Sequence, residues 1–111
     1  MTEPDKGFVE ADLRNTEDKK KVLSALDNLF PIHVFSETEG KISGEAELAG
    51  FWELADREGI RKTVEAILDA NLSGPDSHID LNKTAALVGR IGIDEESPIG
   101  KIRLRVPWKK A

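Results

Sequence analysis

The apolar patterning of this chain predicts an α+β domain: a single, mainly antiparallel sheet of about six strands with helices on one face, a two-layer sandwich. Three observations carry that expectation. Segments that alternate with period two fall in clusters and do not take turns with helices as a parallel βαβ sheet would require. Between them lie two runs with apolar residues at helical spacing. The 111 residues are enough for one domain with a real core, so residues 1–111 are expected to form a single domain.

The first strand is read over Phe8–Arg14, where Val9, Ala11 and Leu13 alternate with Glu10, Asp12 and Arg14. Asn15 or Thr16 then stands as the N-cap of a helix with Glu17 and Asp18 in its first turn, where the helix dipole favours negative charge. Val22, Leu23, Leu26 and Leu29 form its apolar stripe, and Phe30-Pro31 ends it. A hairpin follows with its turn near Glu39-Gly40; Ile42, Gly44, Ala46 and Leu48 point inward while Lys41, Ser43, Glu45 and Glu47 face out. Residues 49–72 are helical, and Gly59 in their middle marks two helices or one kink. After the turn SGPDS come three expected strands, HIDLN, ALVGRIGI and KIRLRV, the last two separated by the loop DEESPIG. Val9, Leu13, Ile79, Leu81, Ile91, Ile102 and Leu104 are expected to face the helices. At least one sheet edge has no evident cover other than the tail PWKKA.

Composition removes several classes of function. With no Cys there is no disulfide, thiolate metal site or Cys nucleophile. The start MTEPDKGFVEAD lacks the basic and then apolar regions of an export signal, and no apolar run approaches the roughly 18 residues of a membrane span, so a cytoplasmic location is expected. His33 lies in an apolar context that reads as structural. In DSHID, Asp76, His78 and Asp80 would share one strand face and could in principle hold a divalent ion, but one His and one Asp on a solvated face is the better reading. VGRIG lacks the features of a phosphate-binding loop; Gly89 and Gly92 read instead as a bulge or a place where a helix packs closely. The acids of GEAELAGFWELADREG read as a solvated helix face. No catalytic constellation, metal, cofactor or small-molecule substrate is therefore expected, and the protein reads as a non-enzyme.

Charge is distributed unevenly. The net charge is −5, yet residues 83–111 hold seven basic and three acidic side chains, a balance of +4, and the rest of the chain carries −9. Such asymmetry points to an anionic partner. In KIRLRV, Lys101, Arg103 and Arg105 would project from one strand face about 7 Å apart, and Arg90 joins them if its own strand pairs with that one. Cross-strand Glu10, Asp12, Glu45 or Glu47 would neutralise the row if adjacent. There is no Tyr, and the usual aromatic platform of single-strand RNA binding is not evident.

NTEDKKKVLSALDNLFP, ELAGFWELADREGIRKTVEAIL, LNKTAALVGRIGI and EESPIGKIRLRV together resemble an archaeal family of uncharacterised proteins catalogued as predicted RNA-binding proteins or exosome subunits. The resemblance covers residues 7 to 106. It implies a fold like that of the large-subunit ribosomal protein that binds five-S RNA, and RNA contacts from Asn82, Lys83 and Arg90 with the basic strand of Lys101, Arg103 and Arg105. The competing expectation is an assembly protein, without a nucleic-acid ligand, that forms a homodimer through its sheet edge or open face.

Overall fold

The structure is a computed structural model that describes residues 4–13, 19–93 and 101–109. Its elements run β1 (Lys6–Asp12), α1 (Lys19–Leu29), β2 (His33–Thr38), β3 (Lys41–Glu47), α2 (Ala49–Arg57), α3 (Arg61–Ala70), β4 (Asp76–Asn82), α4 (Lys83–Leu87) and β5 (Lys101–Pro107). The strands form one open antiparallel sheet in the order β2-β3-β1-β5-β4. The α+β class expected from the sequence is thus observed.

Strict alternation builds the inner face. Val9, Ala11, Ile42, Ala46, Ile79, Leu81, Ile102, Leu104 and Val106 are all buried. Leu13, expected among them, is partly buried at the margin of the core. Against this face α1 lays Val22, Ala25, Leu26 and Leu29, α2 lays Phe51, Trp52 and Ala55, and α3 lays Val64 and Leu68. Phe30 stacks on Phe51 with ring centroids 5.7 Å apart. Gly59, at φ 71°, breaks the helical run into α2 and α3, the first of the two expected alternatives. The N-cap expected at Asn15 or Thr16 and the loop Asp94–Gly100 lie outside the described residues.

The sheet has five strands where about six were expected, because ALVGRIGI is not a strand. Local capping outweighs its apolar alternation. The Asn82 side chain accepts hydrogen bonds from the N–H groups of Thr84 and Ala85 at 2.7 and 3.1 Å, which starts a helical turn directly at the end of β4. After the turn at Val88-Gly89, the chain runs back past the strand end, where Asn82 N–H donates to Gly92 O at 2.9 Å. A Cβ at Gly92 would lie 2.8 Å from Ala85 Cβ, so this glycine permits the close helix approach suspected from the sequence.

The described part of the tail, residues 107–109, does not cover the free edge at β2. Trp108 N–H donates to Pro75 O at 3.0 Å, its indole N–H to Asp69 Oδ1 at 2.8 Å, and its ring stacks on Trp52 with centroids 6.2 Å apart. Arg61 lies over the Trp52 ring at 5.0 Å. Among the described residues no helix is long and apolar enough to cross a membrane.

Candidate nucleic-acid interface on the open sheet face

Among the described residues the four helices leave the opposite sheet face open, and the strand register fixes what it displays. Three rows cross the strands. Val34, Glu45, Phe8, Arg105 and His78 stand opposite one another in sequence from β2 to β4. Ser36, Ser43, Glu10, Arg103 and Asp80 form the next row, and Lys101 faces Asn82 beyond it.

The second row is electrostatically closed. Arg103 Nε donates to Asp80 Oδ1 at 2.9 Å and its terminal nitrogen to Oδ2 at 3.2 Å, a two-pronged pair that suits a planar guanidinium. That hydrogen bonding holds the Asp80 carboxyl below its usual 3.8 and raises the arginine. Glu10 adds its field to Arg103 and also meets Lys41 at 3.4 Å. Arg103 is therefore matched by acids on both sides, the arrangement weighed in the sequence against phosphate binding.

The first row differs. Phe8 is 40% exposed in the outward phase of β1, directly opposite Arg105, and His78 stands on the other flank of the same arginine. Neighbouring strands are about 4.8 Å apart, so an aromatic ring, a guanidinium and an imidazole lie side by side on adjacent strands. Among the described residues Arg105 has no ion pair. It borders two shallow depressions, one with Phe8 and Lys6, the other with Asn71, Ser73 and His78.

The other residues implied by the family resemblance are scattered. Asn82 spends its carbonyl oxygen on capping α4. Lys83 is 1% exposed, and its ammonium donates to the Asp12 carbonyl, so it faces the interior and presents no charge to a ligand. Arg90 lies on no strand; it is exposed beside Glu58, with Nε 3.8 Å from Oε1, while Glu58 Oε2 accepts the Ile91 N–H at 3.2 Å. Lys101 remains on the outer face of β5. Phe8 and His78 were not among the expected contacts, although one signal was present: in FVEADLR an aromatic occupies the phase otherwise held by Glu10 and Asp12. Asp76, His78 and Asp80 do share the outer face of β4, but no group of three His, Asp or Glu side chains is arranged to hold a metal among the described residues.

No family model matches the sequence. Individual proteins do. The chain is 35% identical over 96 residues to a UPF0201 protein of Methanothermobacter thermautotrophicus, an alignment covering 84% of this chain and 73% of that protein. It is 32% identical over 109 residues to a UPF0201 protein of Thermococcus onnurineus, covering 91% and 81%. Among solved structures, an uncharacterised UPF0201 protein superposes with a TM-score of 0.83 at 28% identity, covering 96% of this chain and 84% of that one. The UPF0201 protein from Methanococcus jannaschii gives 0.79 at 24% identity, covering 94% and 88%, a likeness of fold.

Proposed function

Given that the chain belongs to the archaeal UPF0201 family, we propose that it binds single-stranded RNA on the open face of its sheet, centred on Phe8, Arg105 and His78. The observation that supports this reading is the side-by-side placement of these three groups on three adjacent strands. Single-strand binders combine an aromatic surface on which bases stack with a cation that holds the backbone. Phe8 would take a base on its exposed ring, Arg105 a phosphate, and His78 a base edge or sugar hydroxyl. Lys101, exposed further along β5, would take a second phosphate. Glu45, in the row itself opposite Phe8, and Glu10 and Asp76 beside the row repel a longer backbone track, so a short contact suits the site better than an extended groove.

Titration of short single-stranded RNA at several salt concentrations tests the reading. Phe8→Ala is expected to cost about 1–3 kcal/mol of binding, the value of one base stack. Arg105→Gln should reduce the magnitude of the slope of log K against log[salt] by about 0.7, one phosphate contact. Both variants should melt close to wild type, because the two side chains point away from the core. Arg103→Gln should instead alter stability and leave RNA affinity alone. A wild-type protein that binds no RNA more tightly than about 1 mM at low salt, or Phe8 and Arg105 variants that bind as wild type does, would overturn the proposal.

A further inference from the structure

The two edges of the sheet are finished differently. Beside β4, Ser73 exchanges backbone hydrogen bonds with Asp76 at 2.8 and 3.3 Å, Asn71 Nδ2 donates to His78 O at 2.9 Å, and Gly92 O accepts from Asn82. Beside β2 no such cover exists among the described residues. The turn at Glu39-Gly40 and the bond from Glu47 N–H to Ile32 O show that Ile32, Val34, Ser36 and Thr38 are the residues bonded to β3. His33, Phe35 and Glu37 therefore direct their N–H and C=O groups away from the sheet. Ile32 and Val34, 63% and 81% exposed, flank this row.

Above β2 on the inner side runs α1, antiparallel to it. Lys19 meets Glu37 at 2.5 Å at one end of the strand, and Asp27 meets His33 at 3.0 Å at the other. Lys19, Leu23 and Asp27 are spaced four apart and so form one helix stripe along the edge. Each end of the edge thus joins a basic to an acidic group, in opposite order: the base is on the helix at one end and on the strand at the other.

We propose that this edge pairs with the same edge of a second copy, antiparallel about a two-fold axis through Phe35 and Leu23. His33 then bonds the partner's Glu37, and Phe35 bonds the partner's Phe35, through their backbones. A shift of two residues either way loses one such pair, because it calls on Pro31, which has no N–H, or on Glu39, which belongs to the turn at φ 21°. The same axis sets Lys19 against the partner's Asp27 and Glu37 against the partner's His33, unlike groups on both levels. Phe35 and Leu23, each half-buried in one copy, meet their counterparts at the centre. The edge is self-complementary in hydrogen bonds, shape and charge, as an isologous interface requires.

Sedimentation of RNA-free protein tests the pairing separately from the RNA reading. Wild type should sediment at twice its 12.2 kDa at micromolar concentration. Phe35→Pro removes an N–H that bonds nothing among the described residues, so it should give a folded monomer by circular dichroism. The pair Lys19→Glu with Glu37→Lys preserves the ion pair within each copy but sets like against like across the axis; the dimer should weaken at least about tenfold. Adding Asp27→Lys and His33→Glu to that pair should restore it. A wild type that remains a monomer, leaving the edge to an extended segment of another protein, overturns the proposal. So does a dimer that both the proline and the charge-swapped variants leave intact.

Discussion

Lys83 and Arg90, seven positions apart in the sequence, illustrate how little a charged letter says about where its charge goes. Lys83 is sealed inside with its ammonium on a backbone carbonyl. Its replacement by Ala should leave a cavity and strand the Asp12 carbonyl, at a cost of about 2–4 kcal/mol in denaturant unfolding, with RNA affinity unchanged. Asp80 gives a second prediction. Its carboxyl is held below 3.8 in the folded chain by Arg103, so its contribution to stability is complete above the ordinary aspartate range and is lost as pH falls through the lowered value. Asp80→Asn should remove that acid-side dependence. At neutral pH it should cost under about 1 kcal/mol, because the Arg103 partner is nearly half exposed and water screens the pair. Thermal melts of both proteins between about pH 2 and 7 would check the sign.

At the scale of elements, period-two alternation was legible wherever the strand had one wet and one dry face. In β5 buried Ile102, Leu104 and Val106 alternate with exposed neighbours, and Leu104→Ala should cost about 2–5 kcal/mol as a core truncation. A loss under about 0.5 kcal/mol would mean the strand presents its other face to the helices. Alternation failed at residues 83–93, where Asn82 caps a single helical turn that no period detects. That missing strand also removed the supposed seat of Arg90. The site was half legible for a related reason: the outward phase of β5 can be read from one strand, but which residues flank Arg105 and Arg103 depends on strand order. In the chain β1 stands at the opposite end from β5, and α4 lies between β4 and β5, so the two strands that flank β5 are known only once the sheet is assembled.

For the whole molecule, the net charge of −5 works against any long phosphate track. With Arg103 matched by Asp80 and Lys83 buried, Lys101 and Arg105 are the cations of β5 left to meet phosphate. The slope of log K against log[salt] for single strands should therefore be near −1.4, the value for two contacts at about 0.7 each, and a slope beyond about −3 would require cations outside this face.

The stacked indoles of Trp52 and Trp108 determine what light can report about this protein. There is no Tyr, and both Trp residues sit against each other beside Arg61. Intrinsic emission therefore arises from one spot, where the segment after β5 is fastened to α2 and α3. A melt followed by emission records the unfastening of that tail, whereas far-ultraviolet dichroism records the helices and strands; where the tail releases first, the two curves will separate. RNA stacked on Phe8 would be dark to this signal. A Phe8→Trp variant would place a second emitter on the open face, and its quenching by a bound base would make occupancy of that face visible.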